Sequence, residues 1–278
     1  MEMNPPKIAS FLPALAEFTD VLTQDIKSGK LDTWEKFSAS TQEFYTPAVM
    51  KQIETFIPGW GKMASFADGA TLVHVTSVLV VLKLTPEYQR ATPAEKILFE
   101  WIALLHDIAK EVYPGKRDHG HGFRSAIVAG RDLPKLGFPV TSDYEGCIEE
   151  WAKLTTSAIR LDADGEAYIQ DNRRLPEILA GIDKLFGRNT ATSVIVKAVL
   201  LHFSIDTVSE WPQIAPLSEA EIKLYLDESF VPYLEIIMLA DSDAWSLFDK
   251  EIKEKQRQET LLAFQKVRLL VNPPSGSG

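Results

Sequence analysis

The sequence predicts an all-α protein. Apolar residues recur at intervals of three and four along most of the chain, helix start signals precede several of those stretches, and strand-like alternation is scarce. Residues near 8–28 carry Ile8, Phe11, Leu12, Leu15, Phe18, Val21, Leu22 and Ile26 on a helical period. A second helical stretch covers about 33–57, with Pro47 as a point of interruption, before Pro58, Gly59 and Gly61 break the chain. These two stretches are expected to form an N-terminal helical extension, residues 1–67, packed on a core domain of residues 68–271.

The helix expected at about 70–84 is apolar on every face and belongs inside the molecule. The next has a sharper start. Thr92 supplies a cap, Pro93 a first helical residue with no N–H to lose, and Glu95 the reciprocal partner of a capping box. It runs through Ile97, Leu98, Trp101, Ile102, Leu104 and Leu105 to His106-Asp107. Pro114-Gly115 marks a loop, and further helices are expected near 121–136, 143–160, 175–186, 190–204, 218–226, 230–248 and 249–270. The stretch from Ile159 to Arg174 reads as a polar, irregular loop, and residues 272–278 as a flexible Pro/Gly/Ser-rich tail.

Composition narrows the class. The 278 residues are 45% apolar and 24% charged, the balance of a chain that buries a core. No apolar run reaches the roughly 20 residues of a membrane-spanning helix, and Met1–Ser10 lacks the pattern of a secretory signal. With Cys147 as the lone cysteine there is no internal disulfide and no cysteine-built zinc site. A cytoplasmic location is the expectation, with Cys147 a structural thiol that has no obvious cationic neighbour. A net charge of −10 argues against nucleic acid as a partner. It leaves room for a small anionic substrate, because Lys110, Lys116, Arg117, Arg124, Arg131 and Lys135 cluster locally; the same cluster also reads as solvated surface.

The histidines are informative by position. There are five, and three of them, His74, His106 and His202, fall inside apolar helices, where an imidazole needs a partner. Neutral imidazole binds borderline transition metals, and a neighbouring carboxylate offsets the cation's charge. His106 and Asp107 close their helix at the end where the backbone dipole favours a cation, and they point about 100° apart around its axis. Together they can hold one ion from two sides, or let the carboxylate bridge to a second.

Trp101-Ile102-Ala103-Leu104-Leu105-His106-Asp107-Ile108-Ala109-Lys110 resembles the central motif of the HD-domain superfamily, an apolar helix ending in His-Asp-x-x-Lys. The other elements occur in the family's order. His74 resembles the first histidine, His121-Gly122-Phe123-Arg124-Ser125-Ala126 the histidine followed by a small pair, and Leu200-Leu201-His202 the later histidine-bearing helix. Ala240-Asp241-Ser242-Asp243 resembles the closing motif. The resemblance covers about residues 68–248. It implies an HD-type helical bundle and a metal-dependent phosphohydrolase using one or two divalent ions: manganese, iron, cobalt, nickel or zinc.

By resemblance, His74, His106, Asp107 and Asp241 form the basic metal site. His121 and His202 extend it to two ions, with Asp107 bridging and activated water as the nucleophile. His119 competes with His121 for the third position, and the spacing to Ser125-Ala126 favours His121; His202 stands far downstream and also fits a core histidine. Asp107 and Lys110 are the expected catalytic pair, and Lys110, Arg124 and His119 the expected contacts to a small phosphorylated substrate. His119, if not a ligand, has an ordinary pKa suited to a proton donor. Asp243 reads either as a group orienting a ligand or water, or as a surface acid. Two other functions share these residues: a di-iron oxygenase cleaving a C–C or C–P bond, and a non-catalytic nucleotide-binding module.

Overall fold

The computed structural model describes residues 5–65, 69–111, 113, 115–208, 213 and 215–273. After a single 3-10 turn at Ile8–Ser10 come α1 (Pro13–Lys27), α2 (Trp34–Phe44), α3 (Pro47–Phe56) and α4 (Trp60–Ala64). The central part holds α5 (Ala70–Leu84), α6 (Pro86–Arg90), α7 (Pro93–Leu105), β1 (Arg117–Asp118) and α8 (His121–Asp132). Then follow α9 (Tyr144–Ser157), β2 (Ile159–Leu161), β3 (Ala167–Gln170), α10 (Leu175–Phe186) and α11 (Ala191–Leu201). The chain closes with α12 (Glu219–Tyr225), α13 (Val231–Trp245) and α14 (Lys250–Val271). Of the described residues 69% are helical and 4% are in strands, so the architecture is all-α with a small appended sheet.

Local chemistry explains the helix boundaries. Thr92 Oγ1 accepts from Glu95 N while the Glu95 carboxylate accepts from Thr92 N, the reciprocal box expected from the sequence. Pro47 starts α3 as its own helix, with Thr46 capping Val49 N. Short α4 and α6 are too brief for periodicity to show and were not expected. The boundary placed at residues 67 and 68 lies outside the described residues, as do Pro114 and the tail from residue 274 onward. Helices α1 to α4 share one continuous apolar core with the rest: Leu15, Phe37, Trp60 and Met63 are buried in the same cluster as Val78 and Leu104.

The core is a relay of packed helices: α8 lies on α11, α11 on α7, α7 on α5, α5 on α13 and α13 on α14. In α5, Val75, Val78, Val80, Val81 and Leu82 are wholly buried. Each such side chain contributes roughly 1.5–3 kcal/mol of transfer free energy, which offsets the cost of placing polar His74 among them.

The polar stretch from Ile159 to Arg174 departs from expectation. It forms an antiparallel hairpin, β2 with β3, and β3 also pairs in parallel with β1 in the order β1-β3-β2. Gly165 adopts a positive φ of 69° in the turn, and Asp162 Oδ1 accepts from Glu166 N. Such short strands carry no readable alternation; their pairing is set by a partner some fifty residues away, Arg117 opposite Ala167. Cys147 is likewise not without a cation: packing of α9 on α10 sets Lys184 beside it. Among the described residues no helix is long and apolar enough to cross a membrane.

Candidate metal centre

Five elements of the relay converge their polar residues on one point. His74 comes from the second turn of α5, His106 caps the C-terminus of α7 with Asp107 just beyond it, His121 opens α8, His202 caps α11, and Asp241 lies on α13. All but Asp241 are essentially inaccessible; the Asp241 side chain is 20% exposed and marks the way in.

The donors form two groups, His74/His106/Asp241 and Asp107/His121/His202, each with ligand atoms within 4.8 Å of one another. Asp107 faces both. Its Oδ1 lies 3.0 Å from His121 Nε2 and 3.8 Å from His202 Nε2, while Oδ2 lies 3.7 Å from both His74 Nε2 and His106 Nε2. Asp241 Oδ1 stands 2.8 Å from His74 Nε2 and 3.8 Å from His106 Nε2, and the Nε2 atoms of His121 and His202 are 3.2 Å apart. Donors bonded at about 2.1 Å to a shared ion stand roughly 3.0–3.4 Å from each other; the spacings of 2.8–3.2 Å lie at or near that range and those of 3.7–3.8 Å a few tenths of an ångström beyond it. His74 Nε2, His106 Nε2 and Asp107 Oδ1 are buried with no hydrogen bond of proper geometry: they converge rather than pair. These buried His/Asp groups can hold metal ions.

The tautomers agree with that reading. His106 Nδ1 donates to Ala103 O, His202 Nδ1 to Val199 O and His121 Nδ1 to Asp118 O, each at 2.7 Å. With the proton on Nδ1, each Nε2 presents a lone pair toward the centre. Burial lowers the pKa of His106, and lowers that of His202 to about 3, so both rings are neutral at ordinary pH. Burial alone would raise Asp107 and Asp241. For Asp107, Lys110 and the neighbouring imidazoles outweigh it and hold the carboxyl well below its usual range; His74 and His106 do the same for Asp241. Two carboxylates thus remain ionised in a largely buried cluster beside the Lys110 ammonium, a balance that favours bound cations.

The loop between α7 and α8 is fastened at many points. Ser125 Oγ accepts from Ala109 N, Asp118 accepts from Glu111 N and pairs with Arg124, and Arg124 Nε donates to Ala109 O. Arg124 also lies over the Tyr113 ring. Two of its guanidinium nitrogens, Nε and Nη2, are thus engaged by loop backbone and Asp118. The sheet contributes through His119 N donating to Tyr168 O, which fixes the segment delivering His121. Lys110 Nζ lies 2.8 Å from Asp107 Oδ2, and the side chain as a whole is 25% exposed, so it borders both the centre and solvent.

His119 stands outside both donor groups, half-buried with Nδ1 unpaired. Burial, with His121 and Arg117 nearby, lowers its pKa to about 4, so it is neutral at pH 7 and not the ready acid its ordinary value suggested. Asp243 is no surface acid: it is buried and accepts from Arg257 Nη1 at 3.0 Å. Of the other basic residues, Arg131 pairs with Glu149 and Lys135 with Asp132, as a solvated surface does.

Two residues at the centre were not singled out from the sequence. Phe203 sets its edge against His119, His121 and His202, and Trp245 stacks on His74 with ring centroids 4.3 Å apart and planes 18° apart. Adjacency to His202, and the i+4 spacing of Trp245 from Asp241, were the available signals. No family model, curated protein or solved structure matches this chain.

Proposed function

We propose that this chain is a metal-dependent phosphoester hydrolase of the HD-domain type, acting on a nucleotide or another small phosphorylated metabolite. The observation that supports it most is the position of Asp107, with one carboxylate oxygen toward each histidine group. Divalent ions held there would supply a nucleophilic water at neutral pH and positive charge for phosphoryl oxygens. The chain's own residues do the rest. His74, His106, His121 and His202 would supply imidazole ligands, Asp107 and Asp241 carry the charge that retains cations, and Lys110 keeps donors available for a phosphate that enters past Asp241.

The same six donors also favour a second reading, a di-iron oxygenase. Elemental analysis of untagged protein beside Asp107→Ala, followed by phosphate-release and oxygen-consumption assays, separates the two. The hydrolase reading expects one or two transition-metal ions per chain, lost in the variant, with phosphate released from a phosphoester panel. Predominantly iron with substrate-dependent oxygen uptake supports the oxygenase instead. Absence of metal in both proteins after reconstitution overturns both and leaves a helical binding module.

A further inference from the structure

We propose that Trp245 is a stacking platform at the mouth of the centre, selecting substrates that carry a planar heteroaromatic ring close to their phosphate; this rests on the phosphoester reading above. Trp245 is 60% exposed, although its indole lies flat on buried His74. One ring face is thus covered by a metal-ligand candidate while solvent reaches the other. An indole left this open forfeits the burial that a large aromatic ordinarily gains.

The position gives the open face a use. Asp241 is the most exposed of the six donors, and Trp245 follows it by one helical turn on α13, so both lie on one face of that helix at the accessible side of the centre. Lys110 is the partly exposed cation of the centre. The entrance thus joins an ammonium suited to phosphate with an aromatic face suited to a ring. A ring stacked on the outer face of Trp245 would lie roughly 9 Å from the His74 ring. That is the order of the span a ribose sets between a nucleobase and its 5′-phosphate. Stacking of this kind is tolerant of base identity, because every base has a π-face. The substrate class indicated is therefore a nucleoside phosphate, with discrimination against aliphatic phosphoesters.

The test is calorimetric titration of the metal-loaded chain with the phosphonate isosteres of adenosine 5′-monophosphate and of ribose 5-phosphate, in which carbon replaces the ester oxygen and blocks hydrolysis. Wild-type protein is expected to bind the base-bearing compound at least tenfold more tightly. Trp245→Leu should abolish most of that preference, and Trp245→Phe, which keeps a smaller ring against His74, should retain part of it at unchanged metal content. Equal affinity of the wild type for both compounds, or a preference that survives intact in both variants, overturns the platform. Phosphate release from adenosine 5′-monophosphate is followed separately. A Trp245-dependent preference with no release from this compound or from any member of the phosphoester panel would keep the platform and overturn the hydrolytic reading; release without base preference would do the reverse.

Discussion

Gly122 lies so close to His202 that a methyl group on its Cα would meet the imidazole Cε1 at 3.3 Å and the backbone oxygen of Leu200 at 3.0 Å. The missing side chain is what lets the start of α8 approach the end of α11, and hence lets His121 reach His202. Gly122→Ala gains roughly 0.5–1 kcal/mol of helix propensity but overpacks a contact that includes rigid backbone, at about 1–3 kcal/mol. Overpacking should win. In protein reconstituted with two ions per chain, the expected outcome is a lower Tm together with selective loss of the ion that Asp107, His121 and His202 would hold, read as a fall to one. Unchanged stoichiometry at two would show that α8 does not need this close approach.

Arg124 and Lys110 look equivalent in the sequence and are not equivalent in space. Arg124 is engaged by Asp118, Ala109 O and the Tyr113 ring, so Arg124→Ala should loosen the loop that carries Asp107 and His121. Metal affinity is expected to fall about tenfold or more, as for other groups that support ligands. Lys110→Met should instead retain metal and lower turnover about 100-fold, the range for losing one charge-stabilising donor. Elemental analysis and phosphate release on both variants check the split. Retained metal with a raised KM in Arg124→Ala would return that residue to substrate contact.

Most long helices were legible because their apolar periods and caps are local properties: Thr92/Glu95 and α5 are readable from a few neighbouring residues. The candidate ligands were legible for a different reason, since a polar ring such as His74 or His106 inside an apolar helix is conspicuous. What escaped depends on distant partners. The β2–β3 hairpin is defined by pairing with Arg117-Asp118, and the commitment of Arg124 to Asp118 depends on a loop path that spacing does not reveal. Trp245 resembles any terminal helix residue until its ring is found on His74.

Acid should destabilise the chelated protein. Burial depresses His106, and brings His202 to about 3, whereas in the unfolded chain both titrate near the ordinary histidine value of about 6.5. Below that value the unfolded state binds more protons, so stability falls as pH drops and continues to fall until the folded pKa is reached. The contribution is fully present above about pH 6.5 and on the order of 3 kcal/mol is lost from His202 alone by pH 4. Asp107 and Asp241 add a further loss at lower pH, because their depressed values favour the folded state only while they are ionised. Thermal melts of chelated protein from pH 8 to pH 4 should show Tm declining below about 6.5, and His202→Gln should flatten that decline. A flat profile would mean the rings are not neutral and buried without metal.

Asp243 and Arg257 tie α13 to α14 two residues from Asp241. Arg257 Nη1 donates to buried Asp243 at 3.0 Å while its Nη2 reaches Glu87 Oε2 at 2.6 Å. Burial raises the Asp243 pKa, with Lys253 and Arg257 acting against it. Arg257→Ala would leave a carboxylate with its principal partner gone, at a cost of about 3–5 kcal/mol. Much of that cost reflects the stranded charge, so Arg257→Ala combined with Asp243→Asn should recover part of the lost stability. Denaturant titrations of the single and double variants provide the check, and full additivity of the two losses would argue against coupling. The pair also fastens to α14 the part of α13 on which Asp241 and Trp245 sit, so metal occupancy should drop in Arg257→Ala and return with the Asn substitution. Stability that recovers while occupancy does not would assign Arg257 a separate part in positioning Asp241.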